Sequence, residues 1–357
     1  MTSALLDSLR ELPGGAQLLD AAAATGLRGR AHLVGGSVRD LLRGVEPREL
    51  DVVVEGDIAP LLEALGGAEI VHDRFGTASA SAGGARVDVT TSRRERYPRP
   101  GALPEVEPAP LAEDLLRRDF TVNAIAVSLP QGELRAAPHA EEDLAAGLLR
   151  VLHEESFIDD PTRLWRLGRY AARLRFRPQE HTAELARAAI AQGGLASVSG
   201  SRIGAELRLA LAEEDGPGAL AELRALGVLR AAGIEGGLEE GTMRAALALL
   251  PDDGRADLLL LAALLTGVRS EEEISALLDR LAFPASDRER VLASVQALPR
   301  LRAGLPVSSQ PSHVYALAAG TPIEAVALAG ALGSPGEDGS DAQLRVNAER
   351  WLGELRD

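Results

Sequence analysis

Hydrophobic residues follow one pattern up to about residue 135 and another beyond it. In the first part, short runs rich in β-branched residues are bounded by glycines, which is typical of strands joined by turns. These runs predict strands at residues 32–34, 52–54, 86–89 and 122–127. Residues 61–65 and 112–116 have helical spacing instead. The pattern therefore predicts an α/β head.

From about residue 140, Leu and Ala recur at intervals of three to four residues, and β-branched runs almost disappear. This spacing predicts amphipathic helices, and Gly- or Pro-rich breaks divide them into separate units. The expected joints are residues 130–132, 193–194, 216–218 and 251–254, and residues 333–341 are expected to form a loop before a last short helix. The second part is therefore predicted to be all-helical.

Composition excludes several classes of protein. The 357 residues include no cysteine, so disulfides and thiolate metal sites are ruled out. A hydrophobic content of 46% is too high for a disordered chain, and no apolar run approaches the ~20 residues of a membrane-spanning helix. The first fifteen residues are amphipathic and acidic, unlike a secretory signal. We therefore expect a soluble protein of the cytoplasm that contacts no membrane.

The net charge is −15, and every one of the 38 basic residues other than histidine is an arginine. Positive charge is nevertheless concentrated: residues 163–177 hold six arginines and no acid, and residues 86–99 hold five arginines against two acids. Guanidinium groups bind phosphates and base edges through planar pairs of donors. These two segments are therefore the predicted contacts for an anionic partner.

Two glycines, Gly35 and Gly36, end the first predicted strand and lead into a helix that carries Arg39. Backbone N–H groups at such a turn suit a phosphate, glycine permits close approach of the ligand, and Arg39 can add a charge-assisted bond. Taken alone, a Gly-Gly turn after a strand is more often only structural.

Glu49 and Asp51 are two residues apart at the start of the second predicted strand, where alternation places them on one face. Two carboxylates on one face repel each other, and oxygen ligands favour Mg²⁺ with substrate phosphates completing its coordination. Asp88 on a later strand could add a third carboxylate. The alternative is a solvated entrance to the strand.

Together these segments resemble the tRNA nucleotidyltransferase and poly(A) polymerase family, in its bacterial class. Five segments match the family's head motifs in order: GGSVRDLLRG, RELDVVVEGD, FGTA at residues 75–78, RVDV at 86–89 and RRDFTVNA at 117–124. DDPTR at residues 159–163 corresponds to the family's EDxxR, and the arginines at 166 and 169 continue as its next motif. The resemblance covers about residues 31–180.

The resemblance implies an α+β fold, with a mixed-sheet nucleotidyltransferase head at residues 1–137 followed by a helical neck at 138–195, body at 196–275 and tail at 276–357. It implies in-line attack by the 3′-hydroxyl of a tRNA on the α-phosphate of CTP or ATP. Glu49 and Asp51 would hold Mg²⁺, with Asp88 as a third catalytic carboxylate. The triphosphate would be bound by Gly35, Gly36, Arg39, Arg118, Arg166 and Arg169. A monomer is favoured, and the oligomeric state is left open.

Nucleotide choice is assigned to Asp160 and Arg163, with Arg166, on a helix predicted over residues 158–176. A carboxylate can accept from the exocyclic amine of cytosine or adenine while a guanidinium donates to the neighbouring acceptor, an arrangement that refuses uracil and guanine. The alternative is an ordinary ion pair between helix positions three residues apart.

Some positions depart from the family pattern. Glu49 stands where the family usually has Asp, Asp159 where it has Glu, and the hinge at residues 138–144 lacks both family glycines. Residues 93–104 resemble the loop that members restricted to CC addition lack, so full CCA or terminal A addition is favoured. A poly(A) polymerase and a catalytically weak RNA-binding module remain alternatives, and the role of residues 200–357 is open. The histidines at 139, 153 and 181 are expected at the surface.

Overall fold

A computed structural model describes residues 2–68, 70–72, 76–267, 270–333 and 339–356. The chain divides into two compact units, the first formed by residues 1–160 with 176–185 and the second by residues 161–175 with 186–357. Phe75 of the proposed FGTA motif and most of the loop predicted at 333–341 lie outside the described residues.

The first unit is built on a mixed sheet. In spatial order its described strands are β3 (Ile70–His72), β4 (Thr77–Ala82), β5 (Ala85–Thr91), β2 (Leu50–Val54), β1 (Ala31–Val34), β8 (Ile125–Leu129) and β9 (Leu134–Ala136). β2 and β5 are parallel, and the other neighbours are antiparallel. The expected α+β fold with a mixed-sheet head is thereby confirmed.

Two smaller pairs of strands accompany this sheet. β6 (Arg93–Arg96) and β7 (Glu105–Pro108) form an antiparallel ribbon, and β10 (Leu148–Leu149) pairs in parallel with β11 (Arg177–Pro178). The sequence predicted the first of these segments only as a loop, because both of its strands are dominated by charged residues and show no hydrophobic alternation.

The helices of the first unit cover the sheet. They are α1 (Thr2–Glu11), α2 (Gly15–Ala24), α3 (Gly36–Leu42), α4 (Ala59–Ala64), α5 (Leu111–Leu116), α6 (Ala140–Ala146) and α7 (Ser156–Asp159). The main hydrophobic core includes Leu9 and Leu18 from the first two helices and Leu33 and Val87 from the sheet, all with less than 1% of their surface exposed. This core holds β1, β2 and β5 rigidly, and these are the strands that carry the candidate site.

The strand predicted at residues 122–127 is only partly correct. Thr121–Asn123 is a 3₁₀ turn, and β8 begins at Ile125. The Asn123 amide donates to the Asp119 carboxylate at 2.9 Å, and its carbonyl oxygen accepts from Arg39. A buried polar side chain must find such partners, and these lie outside any β ladder, so the turn takes precedence over strand propensity.

In the described part of the second unit every assigned element is helical, as expected. The helices are α8 (Arg163–Leu174), α10 (Gly200–Leu211), α11 (Gly216–Ala225), α12 (Val228–Ala231), α13 (Glu240–Leu249), α14 (Ala256–Leu265), α15 (Glu271–Arg280), α16 (Ala285–Gly304), α17 (Pro311–Ala318), α18 (Ile323–Ala331) and α19 (Ser340–Arg350), while α9 (Glu180–Ala191) has residues in each unit. Residues 258–265 of α14 are all buried and form the centre of this unit.

Among the described residues, no individual helix is both long and apolar enough to cross a membrane. In the described part of the chain, α17 and α18 taken together reach that length and composition, and their axes are bent by 119°.

Candidate active site

The Gly-Gly turn lies at the end of β1, as predicted, and Gly35 has a backbone conformation that suits glycine. Its φ is 67° and its ψ is −131°, a region that is essentially restricted to glycine. A Cβ at Gly35 would lie 2.8 Å from Nη1 of Arg118, so a guanidinium group lies directly against the turn. α3 begins at Gly36 and has only seven residues. Positive charge at the turn therefore comes chiefly from arginine side chains rather than from a long helix dipole.

Arg39 is placed differently from the phosphate ligand expected of it. Its side chain is 2% exposed, it donates to both carboxylate oxygens of Asp40 at 2.8 and 2.9 Å, and it also donates to Asn123. A Cβ built on Gly36 would lie 3.5 Å from Nη2 of Arg39. The Arg39 side chain therefore packs behind the Gly-Gly turn, and its hydrogen bond to Asn123 links the turn to the RRDFTVNA segment.

The three carboxylates predicted for catalysis lie on, or directly before, two neighbouring strands. Asp51 on β2 is directly opposite Asp88 on β5 in the parallel register, and Glu49 immediately precedes β2 and is exposed. Burial and the neighbouring Glu49 raise the pKa of Asp51 to about 7, with a smaller contribution from Asp88. Arg118 and Arg39 lower the same pKa in part. Asp51 thus lies among other carboxylates, and a bound cation would favour its ionised form at neutral pH.

Asp88 has a different environment from the other two carboxylates. Its Oδ1 accepts from the Ser79 hydroxyl, and from Nε of Arg86 at 2.8 Å. Among the described residues, no group of three or more His, Cys, Asp or Glu side chains is arranged to enclose a metal ion. Glu49 and Asp51 nevertheless supply the type of oxygen ligand that a divalent cation binds when its remaining ligands come from water and substrate phosphates. The family that the sequence resembles uses a divalent metal in general terms.

Ser37 was not identified from the sequence and holds the start of β2. Its hydroxyl donates to the Glu49 carbonyl at 3.0 Å and accepts from the Asp51 N–H at 2.9 Å. Ser37 is 2% exposed. One buried hydroxyl therefore fixes the backbone on which both candidate metal ligands are mounted, and nothing in its position within GGSVRD distinguishes that role from an ordinary helix serine.

The helix predicted over residues 158–176 is interrupted. α7 ends at Asp159, Asp160 has extended backbone angles (φ −130°, ψ 90°), and α8 starts at Arg163. Pro161 disfavours the helical conformation in the residue before it, which explains the break. Asp160 and Arg163 therefore do not share one helix. Both are buried, with 7% and 3% of their surface exposed.

Arg166 and Arg169, expected to neutralise the triphosphate, make ion pairs within the second unit. Arg169 donates to Glu206 and Glu213 at 3.0 Å each, and Arg166 lies 3.5 Å from Glu206. Arg169 is 9% exposed. These contacts anchor α8 to α10 and to the residues that follow α10. Asp160 and the head residues belong to the first unit, whereas Arg163, Arg166 and Arg169 belong to the second.

Comparisons with known proteins match the same segments. Residues 31–150 fit the family model described as the Poly A polymerase head domain. An A-adding tRNA nucleotidyltransferase from Halalkalibacterium halodurans is 41% identical over 215 residues, which are 57% of this chain and 50% of that protein. A CC-adding tRNA nucleotidyltransferase from Deinococcus radiodurans is 40% identical over 189 residues, 51% of this chain and 50% of that protein. The chain spans about half the length, or less, of the curated relatives it matches.

Solved structures resemble the chain over almost all of its length. A tRNA-processing enzyme with CTP has a TM-score of 0.77 and 30% identity, covering 95% of this chain and 92% of that one. The Thermotoga maritima CCA-adding enzyme complexed with tRNA has a TM-score of 0.76 and 26% identity, covering 100% of this chain and 86% of that one. The match therefore extends beyond the head to both units, and the chain belongs to the tRNA nucleotidyltransferase and poly(A) polymerase family.

Proposed function

We propose that this protein transfers AMP or CMP from ATP or CTP to the 3′ end of tRNA, without a template, to build or repair the CCA terminus. The observation that carries the proposal is the arrangement of Glu49 and Asp51 at the start of β2, in the same unit as the Gly35–Gly36 turn and Arg118. The relatives named above carry out this chemistry or were solved with its substrates.

Each part of this site has a distinct task in the proposed reaction. The Gly35–Gly36 turn lets the triphosphate approach the backbone, and Arg118 binds its charge. Glu49 and Asp51 would hold Mg²⁺, and Ser37 keeps their backbone in place. A bound Mg²⁺ would act as a Lewis acid that favours ionisation of the attacking 3′-hydroxyl and offsets charge on the transferring phosphoryl group. Pyrophosphate leaves, and no side chain becomes covalently attached.

The domain roles follow the same proposal. Residues 1–137 would carry catalysis, 138–195 nucleotide selection, and 196–275 and 276–357 the helical body and tail that contact tRNA. Such an enzyme would act in the cytoplasm as a monomer. Full CCA or terminal A addition is favoured over CC addition alone, because residues 93–104, which resemble the loop that members restricted to CC addition lack, are present here as β6 and the connection to β7.

The test is incorporation of labelled nucleotide into tRNA ending at the discriminator base, at C or at CC, with ATP and CTP supplied separately. We expect Mg²⁺-dependent addition of A to the CC-ending tRNA, followed by a stop. A ladder of many adenylates would identify a poly(A) polymerase instead. Addition of C alone would contradict the stated preference, and tRNA binding without incorporation would leave only an RNA-binding module.

Selection of the nucleotide provides a further prediction. Replacing Arg163 with Ala removes the donor proposed to face the base, and one good bidentate contact contributes about 1–3 kcal/mol of discrimination. We therefore expect the preference for ATP and CTP over UTP and GTP to fall about tenfold or more. The measurement is kcat/KM for all four nucleotides on matched tRNA ends.

Arg187→Ala, which removes an exposed arginine of α9, is the control for loss of charge. Because Arg163 is buried, the melting temperature of each variant is compared with that of the parent. Unchanged discrimination in a folded Arg163→Ala protein would remove the assignment.

A further inference from the structure

Asp114 is a fully buried carboxylate to which the proposed reaction assigns no role. It lies on α5, its side chain has no exposed surface, and it accepts hydrogen bonds from three sources. Oδ2 accepts from Nη2 of Arg118 at 2.9 Å, and Oδ1 accepts from Arg117 at 2.8 and 2.9 Å and from the Arg93 backbone N–H at 3.2 Å. A buried carboxylate with several donors is a strong orienting group.

The Asp114 carboxylate fixes the Arg118 guanidinium beside the Gly-Gly turn. Its Nη2 is bonded to Asp114 while Nη1 lies against the Gly-Gly turn. Within the described residues, Nε of Arg118 is buried and has no hydrogen-bond partner. Buried donors in folded proteins are normally paired, so Arg118 retains unused donor capacity beside the Gly-Gly turn.

The ribbon of β6 and β7 is tied to the same group. Oε1 of Glu95 on β6 accepts from Arg117 at 2.9 Å and from Arg93 at 3.2 Å, and its Oε2 accepts from the Tyr97 hydroxyl at 3.1 Å. The Glu95 side chain is only 9% exposed. Glu95 and Asp114 are therefore bridged by Arg117, which makes the ribbon and Arg118 parts of one buried network.

Charge within this network is unbalanced in a way that favours an anion. Three guanidinium groups, from Arg93, Arg117 and Arg118, face two carboxylates. Burial and the neighbouring Arg117 lower the pKa of Arg93. Burial alone would raise the pKa of Asp114, but Arg118 and Arg117 together hold it below its usual range. Arg118 also acts on Asp51, whose pKa it lowers, so this network would favour a polyphosphate most when a cation offsets Asp51 and Glu49.

We propose that Asp114 is a positioning residue for Arg118, and that Glu95, acting through Arg117, couples the order of the β6–β7 ribbon to binding of the nucleotide's triphosphate. The proposal rests on the function proposed above, because it takes the Gly-Gly turn as the triphosphate site. By reciprocity, a triphosphate that stabilises Arg118 in place should also stabilise the ribbon, and loosening the ribbon should weaken triphosphate binding.

The experiment measures binding of inorganic tripolyphosphate and ATP to the full chain by calorimetry, and hydrogen exchange of residues 93–108 with and without tripolyphosphate. Asp114→Asn keeps the side-chain shape and is expected to weaken both ligands about tenfold, and Glu95→Gln about threefold. Glu107→Gln is the matched control, because it removes an exposed ion pair with Arg94 on the same ribbon. It should bind as the parent does.

Steady-state kinetics separates positioning from a purely structural effect. Asp114→Asn and Glu95→Gln are expected to raise KM for ATP with little change in kcat, because the groups around the reacting phosphate are retained. Tripolyphosphate should slow exchange of the ribbon in the parent and in Glu107→Gln but not in Glu95→Gln. If Asp114→Asn fails to fold, Arg117→Gln tests the link between the ribbon and Asp114, since it removes the bonds to Glu95 and Asp114 and leaves the Asp114–Arg118 bond intact.

Several outcomes would overturn the proposal. These are a parent that binds no tripolyphosphate, a Glu95→Gln protein that matches Glu107→Gln in affinity and in exchange, or a folded Asp114→Asn protein with unchanged affinity. Tripolyphosphate binding and ribbon protection without incorporation into any tRNA would support the coupling and refute the proposed function. Normal incorporation, with tripolyphosphate having no effect on exchange of the ribbon, would support the proposed function and refute the coupling.

Discussion

Replacing Asp51 with Asn is expected to reduce nucleotide incorporation by at least about 1,000-fold, while the protein stays folded and still binds tRNA. The substitution keeps the shape of the side chain but removes the carboxylate that, with Glu49, would hold the metal. A loss of about 4 kcal/mol of transition-state stabilisation corresponds to this factor. The measurement is single-turnover incorporation on CC-ending tRNA at saturating ATP.

The raised pKa of Asp51 gives this prediction a pH signature. Its folded-state pKa is about 7 and its ordinary value is 3.8, so the cation-free folded protein favours the protonated form. The associated stability is fully present below pH 3.8 and is lost as the pH rises through about 7. Mg²⁺ should therefore raise the melting temperature more at pH 8 than at pH 6, and activity should rise across the same interval.

Asp51→Asn should remove both the pH dependence and the stabilisation by Mg²⁺. Because the unfavourable carboxylate is gone, the variant without metal is expected to melt higher than the parent at pH 8. Glu63→Gln, at an exposed position of α4, is the control for loss of one negative charge. Activity retained in Asp51→Asn, or equal stabilisation of both proteins by Mg²⁺, would contradict the assignment of Asp51 as a metal ligand.

The fold was predictable where hydrophobic pattern alone decides the structure. β1, β2 and β5 were recognised because their β-branched runs are buried on a sheet, and α4 and α5 because their spacing is helical. The break between α7 and α8 could also have been predicted, because Pro161 is visible in the sequence and restricts Asp160.

What could not be predicted depends on long-range polar contacts. Arg39 is separated from Asn123 by 84 residues, and its burial against that side chain decides that it supports the turn from behind. Glu206 and Glu213, the partners of Arg169, are 37 and 44 residues away from it. Local spacing contains no information on such pairs. The family resemblance selects a set of arginines, but it does not distinguish those that face a ligand from those that make ion pairs within the protein.

Asp114 shows how much of a contact can be predicted from the spacing of residues in the sequence. Its separation of four residues from Arg118 predicts an ion pair at the end of a helix, a contact that usually contributes little at a surface. In the structure this ion pair is expected to contribute more, because the Asp114 carboxylate is fully buried and also accepts hydrogen bonds from Arg117 and from the Arg93 backbone N–H of the ribbon. Burial depends on how β6 packs on α5, which the charged sequence of β6 does not indicate.

Gly35→Ala is expected to have the second largest effect, with nucleotide affinity weakened about tenfold to a hundredfold. Two causes act together. A non-glycine residue in the backbone conformation of Gly35 costs about 1–3 kcal/mol. The new Cβ would also lie 2.8 Å from Nη1 of Arg118, so the guanidinium must move away from the turn. The measurement is the dissociation constant for ATP, together with KM and kcat on CC-ending tRNA.

Gly44→Ala separates these two causes. Gly44 also has a positive φ, 70°, yet a Cβ built there meets no atom within 4 Å. Both variants should therefore melt below the parent through backbone strain, whereas only Gly35→Ala should lose affinity for ATP. Equal affinities in the two variants would show that Arg118 does not bind the triphosphate at the turn. A selective loss in Gly35→Ala would instead establish that the space above Gly35 must remain free for the arginine and the phosphate it binds.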